Sequence, residues 1–307
     1  MAVSSLTMSL VFVKISFLIL SLHLFFIPGN AAETLSLSYD FYQKSCPNVE
    51  KIIHSVVSQK LLEAPAERDS KINLSLPGDG YDVFFRAKRA VELQCPAIVS
   101  CADVMTIATR DLIHLVGGPR WEVTKGRRDG LISKASRVDG NIPRVNQSVS
   151  EIIKLFKSKG LSTLDMVALS GGHSIGFSHC KEFISRIYKY NATFDIDPTM
   201  NQGFALSLRR PCPKHNLDPT VVALNDVATP FVFDNFYYKN LLKGVGLLAT
   251  DQMLALDSMT EGYVKRMAED QSAFFKHFVA AMIKLSGIGV KTGRDGEIRR
   301  DCGSFND

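Results

Sequence analysis

From residue 46 onward, apolar side chains recur every three to four positions, the spacing of helices with one buried face. Between Asn48 and Leu62 that face carries Ile52, Ile53, Val56, Val57, Leu61 and Leu62, and Asp82 to Leu93 predicts a second helix. Ser100-Cys101-Ala102-Asp103 has the form of a capping box, and the apolar run Val104 to Val116 after it stops at Gly117-Gly118-Pro119. Ser148-x-x-Glu151 opens a helix that ends at Gly160. Ser162 to Leu169 predicts a shorter one, leading into Ser170-Gly171-Gly172-His173. Ser272 to Leu285 sets Phe274, Phe275, Phe278, Val279, Met282 and Ile283 on one side. Strand signals are short, and the clearest predicts a hairpin over Lys291 to Arg300, around Asp295-Gly296. With no internal repeat, the pattern predicts an all-α globule with short β elements and long loops.

The first 32 residues belong to a different class. Leu10 to Ile27 is apolar apart from Lys14, Ser16, Ser21 and His23, and Pro28-Gly29-Asn30-Ala31-Ala32 follows. A hydrophobic run closed by a helix breaker and small residues reads as a signal peptide over 1–32, leaving 33–307 as the mature domain. The competing reading is a membrane anchor. Export places six cysteines in an oxidising compartment: Cys46, Cys95, Cys101, Cys180, Cys212 and Cys302. An even number without any Cys-x-x-Cys favours disulfides over zinc, with the pairing open. The formal charge of +5 falls to +4 without Lys14, and no long basic run is present, so no nucleic-acid partner is implied.

Chemistry concentrates at Leu169-Ser170-Gly171-Gly172-His173-Ser174-Ile175-Gly176. Glycines beside a histidine allow close approach of a flat, bulky group. A haem-ligating imidazole also needs its far nitrogen held, usually by a carboxylate, which periodicity cannot identify. Further segments occur in a fixed order: Phe41-Tyr42-x-x-x-Cys46-Pro47, Val99-Ser100-Cys101-Ala102-Asp103, Gly126-Arg127-Arg128-Asp129, Val167 to His173, and Gly296-Glu297-Ile298-Arg299. Together, from about residue 38 to the C-terminus, they resemble the class III secretory plant peroxidases.

That resemblance implies a two-lobed helical fold enclosing haem b. The distal lobe would be about 33–147 with the C-terminal tail, and the proximal lobe about 148–270. It implies His173 as the proximal haem ligand, with Asp251 accepting the imidazole's other N–H. It implies a proximal calcium site of Ser174, Asp226, Thr229, Val232 (through its carbonyl) and Asp234, oxygen donors suited to a hard cation. It also implies the disulfides Cys46–Cys95, Cys101–Cys302 and Cys180–Cys212, a buried Asp103–Arg127 pair, and Pro143 at the edge that receives aromatic donors. The implied protein is a secreted monomer of the apoplast or cell wall that oxidises phenolic donors with hydrogen peroxide.

The chain departs from the family at one place. Members carry Arg-x-x-Phe-His-Asp-Cys and Gly-Cys-Asp-Ala-Ser, whereas here Leu62-Glu63-Ala64-Pro65 runs directly into Ala66-Glu67-Arg68-Asp69. By family spacing about 30 residues are absent, a cysteine pair among them. The distal His, a general acid–base for peroxide, and the distal Arg, which stabilises charge during O–O cleavage, go with them. No catalytic residue is therefore identifiable, and His54, His114, His179, His215 and His277 offer no evident replacement. Glu67 remains as a remnant of the distal calcium site, expected to be lost, and Asn73 matches a residue that would bond the missing His. Three sequons begin at Asn73, Asn146 and Asn191, the last two being the expected glycan acceptors. The readings left open are a working peroxidase, a catalytically impaired haem-binding protein or splice or gene-model variant, and a fragment that fails to fold for want of a core helix.

Overall fold

The computed structural model describes residues 37–67, 76–134, 140–145, 147–215, 218–219 and 221–307, with the side chains of 61–67 and 76–81 left aside. The signal segment, Asn73 and Asn146 lie outside the described residues, as does the side chain of Glu67. Residues 37–307 form one unit, whose architecture is mainly helical, as expected. The helices are α1 (Val49–Glu67), α2 (Leu76–Gln94), α3 (Cys101–Leu115), α4 (Val149–Ser158), α5 (Thr163–Ser170), α6 (Ile184–Ile187), α7 (Gln202–Leu208), α8 (Phe236–Leu242), α9 (Ala249–Leu254), α10 (Glu261–Glu269) and α11 (Gln271–Leu285).

Local signals explain several boundaries. Ser148 and Glu151 form a reciprocal capping box at α4, and Ser162 and Asp165 form another at α5. At α3 the expected box is only half made. Ser100 Oγ accepts from Asp103 N, but the Asp103 carboxylate turns away. It accepts instead from Tyr42 Oη at 2.8 Å, from Gly126 N, and from the guanidinium of buried Arg127 at 2.9 Å. Leaving a buried guanidinium unpaired costs more than leaving one cap hydrogen bond unmade, so the tertiary partner wins. Asp270 caps α11 through the N–H groups of Ser272 and Ala273.

α1 packs on α2 and α3, and α5 on α11. Their inward residues join one apolar cluster that includes Ile53, Val91, Ile107, Met166, Phe233, Tyr238 and Phe274. Burying each such side chain stabilises the fold by roughly 1.5–3 kcal/mol. A second, smaller cluster gathers Phe183, Ile187, Ala205, Leu208 and Leu247 around the Cys180–Cys212 bridge. The other bridges are Cys46–Cys95 and Cys101–Cys302, so no cysteine is free. The Cys101–Cys302 bridge closes 201 residues of chain and fastens the C-terminal tail to the start of α3.

The predicted hairpin at Lys291 to Arg300 does not form as such. Its two arms bridge to Arg128 and Asp129 rather than to each other. Gly296 lies in the left-handed region at φ +87°, and a Cβ there would sit 2.3 Å from the Asp129 carbonyl oxygen. The glycine thus serves close approach to a neighbouring segment, not a hairpin turn. Among the described residues the one regular sheet is an antiparallel pair that periodicity did not signal: β1 (Phe177–His179) against β2 (Val222–Leu224), with Ser178 opposite Ala223. Among the described residues no helix is long and apolar enough to cross a membrane.

Candidate functional site

α5 runs into a single 3₁₀ turn, Gly171–Ser174, which presents His173. Three contacts fix that turn from below. Tyr238 Oη donates to Val167 O at 2.9 Å, Lys284 Nζ pairs with the capping Asp165 at 2.8 Å, and Gly171 lies flush on the core. A Cβ on Gly171 would come within 2.4 Å of Phe274 and 2.5 Å of Tyr238 Oη, whereas one on Gly172 would meet nothing within 4 Å. The two glycines therefore divide the work. Gly171 admits the aromatic core, and Gly172 keeps the outer face clear.

Asp251 enters from the first turn of α9 and is buried. Both of its carboxylate oxygens stand at 3.0–3.1 Å from His173 Nδ1. The charge on Asp251 raises the His173 pKa above the ordinary 6.5, outweighing the opposite effect of burial. Such a partner keeps the proton on Nδ1 and leaves the Nε2 lone pair outward. Nε2 makes no hydrogen bond among the described residues, and the side chain is 43% exposed. An imidazole anchored by a carboxylate on one side and open on the other is the donor set of an axial haem ligand, so these residues fit that group.

The residue after His173 leads to a cluster of oxygen donors. Ser174 Oγ donates to Val232 O at 3.1 Å and accepts from Asp234 N at 3.1 Å. Thr229 Oγ1 lies 3.0 Å from Asp234 Oδ1 and 3.5 Å from Asp226 Oδ2. Asp226 is fully buried and accepts from Asn240 Nδ2 at 2.8 Å; Asp234 is 8% exposed. No Lys or Arg forms an ion pair with either carboxylate among the described residues. Burial pushes the Asp234 carboxyl above its ordinary value, and the neighbouring Asp226 adds to the rise. No group of three acidic, His or Cys ligands occurs among the described residues. Two carboxylates completed by Ser, Thr and a carbonyl still suit a calcium-like cation, which prefers oxygen and tolerates neutral donors.

The remaining sequence candidates lie apart from His173 in their contacts. Pro143 is exposed in the loop before α4. His54 lies 3.6 Å from buried Asp111, His114 approaches Gly118 O at 3.3 Å, and His277 rides on α11 with its pKa lowered by burial. None of these is a partner of His173 in the described contacts. Sequence reasoning missed Tyr237, Tyr238 and Asn240. No motif or periodic run marks them, and the partners of the Tyr238 hydroxyl and the Asn240 amide come from other segments of the chain.

A family model described as Peroxidase matches residues 54–270. Among curated proteins of Arabidopsis thaliana, Peroxidase 65 is 44% identical over 311 positions that cover 91% of this chain and 92% of that protein. Peroxidase 63 is 45% identical, covering 90% and 92%, and Peroxidase 51 is 41% identical, covering 95% and 98%. The 311 positions exceed the chain's own 307 residues, of which 91% is about 279, so roughly 30 aligned positions face gaps in this chain. With the family model spanning well over half its length and these relatives nearly all of it, the chain belongs to the peroxidase family, with the class III plant peroxidases.

Proposed function

We propose that this chain is a secreted haem-binding peroxidase with a complete proximal half and slow turnover. The carrying observation is the His173–Asp251 pair, buried on the carboxylate side and open at Nε2. Haem b held there would supply the redox chemistry by which hydrogen peroxide oxidises small phenolic donors. The protein's own part is to hold the imidazole proton on Nδ1 through Asp251 and to brace Ser174 through the Asp226–Asp234 cluster, which would take calcium. Cys46–Cys95 closes a loop within the distal lobe, about 33–147, Cys101–Cys302 ties that lobe to its tail, and the proximal lobe is about 148–270. A signal peptide over 1–32, delivery to the apoplast or cell wall, action as a monomer and glycans at Asn146 and Asn191 complete the reading.

Slow turnover follows from chemistry rather than from the fold. General acid–base catalysis is worth about 10²–10⁴-fold, and the residues that would supply it across the haem are absent. Reconstitution with haem b tests this directly. The expected result is a Soret band with imidazole ligation, lost in His173→Ala, and a reaction with one equivalent of peroxide at least about 10²-fold slower than that of a complete relative. A rapid stoichiometric reaction would show that another group replaces the distal pair. Absence of haem uptake would overturn the haem reading itself.

A further inference from the structure

The aromatic pair that begins α8 is used asymmetrically. Tyr238 is fully buried with its hydroxyl satisfied by the carbonyls of Val167 and Ala168, at 2.9 and 3.3 Å. Tyr237 is equally enclosed, at 2% exposure, yet its hydroxyl reaches no partner at ordinary hydrogen-bond geometry. Buried phenols nearly always find an acceptor, and packing alone would be served by Phe, so an orphan hydroxyl at this depth asks for an explanation. Its surroundings supply one. The Tyr237 ring stands edge-on to the His173 ring, centroids 6.2 Å apart. The carboxylate whose charge acts on that hydroxyl is Asp251, which holds the adjacent His173 and has no other described hydrogen-bond donor.

We propose that Tyr237 is a positioning residue for the haem ligand, its hydroxyl donating to Asp251 and so limiting the negative charge that Asp251 passes to His173. Burial first, and the Asp251 charge second, hold the phenol well above its ordinary pKa, so it remains a donor across the working pH range. A carboxylate shared between two donors pulls less on each. Tyr237 thus sets the imidazolate character of His173, and through it the electron density that the ligand would offer to iron. The inference rests on the haem reading given above.

The test uses the full chain reconstituted with haem b. Tyr237→Phe keeps the ring contacts and should move the Fe(III)/Fe(II) midpoint potential to more negative values, with a higher Fe–His stretching frequency. Replacing Tyr237 by 3,5-difluorotyrosine, similar in shape but a stronger donor, should move both in the opposite direction. Tyr238→Phe should lower the melting temperature and leave the potential where it was. In an Asp251→Asn background, Tyr237→Phe should cause no further shift. An unchanged potential in both Tyr237 variants, or an equal shift with and without Asp251, would overturn the proposal. A wild-type chain without a Soret band would instead overturn the underlying haem reading, which keeps the two failures distinct.

Discussion

At the scale of single residues, the protein places charges in pairs and leaves one cluster of like charge uncompensated. Asp103 meets Arg127, Asp165 meets Lys284, and Asp251 meets His173. Asp226 and Asp234 have no such partner among the described residues, although both are buried. Two like charges beside one another and out of water are costly, and a bound cation removes the cost. Calcium should therefore raise the melting temperature of the protein, and a chelator should reverse the gain. Asp234→Asn should abolish that calcium increment while remaining folded in its absence, because the amide keeps the side chain's size and removes the repulsion. Calorimetry with and without calcium would decide it, and an undiminished increment in the variant would remove Asp234 from the site. The residue types were visible in the sequence, but nothing in their spacing distinguishes them from loop acids.

At the scale of elements, the link from α5 to its 3₁₀ turn determines how His173 is presented. Gly171 and Gly172 are adjacent in sequence and opposite in environment. Gly171→Ala forces a methyl group into Phe274 and Tyr238, an overpacking expected to cost about 1–3 kcal/mol. Gly172→Ala meets open space and should leave the melting temperature near that of the wild type, while weakening haem uptake by crowding the outer face. Urea unfolding together with haem titration separates the two, and equal destabilisation by both changes would contradict the division. The sequence reading gave both glycines one role, close approach of a flat group. It located the helix ends well at Ser148 and Ser162, where the capping partner is local. At Asp103 the same local form is overridden by an arginine 24 residues away, a pairing that the family resemblance implied and local spacing did not.

At the scale of the whole molecule, two apolar clusters are held by different means. The larger rests on helix packing, whereas the smaller is stapled by Cys180–Cys212 and by a buried ion pair. Arg186 donates to Asp197 at 2.7 Å and also to the carbonyls of Gly246 and Leu247, tying three segments together. Burial pushes the Asp197 carboxyl up, but hydrogen bonds from Arg186 and Thr199 together hold it below its ordinary 3.8. A depressed folded-state pKa gives stability that is fully present above 3.8 and lost as pH falls through the lower folded value. Unfolding free energy should therefore drop in that acid window. Asp197→Asn should lower stability at neutral pH and flatten the acid slope, as measured by urea unfolding between neutrality and strong acid. A slope identical to that of the wild type would assign the acid response elsewhere.

What the sequence by itself determined was local or covalent: the helical class from apolar periodicity, two caps from i to i+3 pairs, and an even cysteine set. Motifs in fixed order pointed to His173 and its family, because side chains near in sequence carry that pattern. The tertiary structure decided everything that depends on distant segments meeting. It set Asp251 against His173 across 78 positions, gathered the oxygen cluster around Ser174, and drew Asp103 away from its cap to Arg127. It also laid the 291–297 arms on Arg128 and Asp129 instead of on each other. Hydrogen-bond reach is a few ångströms in space and carries no signature along the chain, so where the family resemblance named these partners, periodicity and spacing could not, and folding alone brings them together.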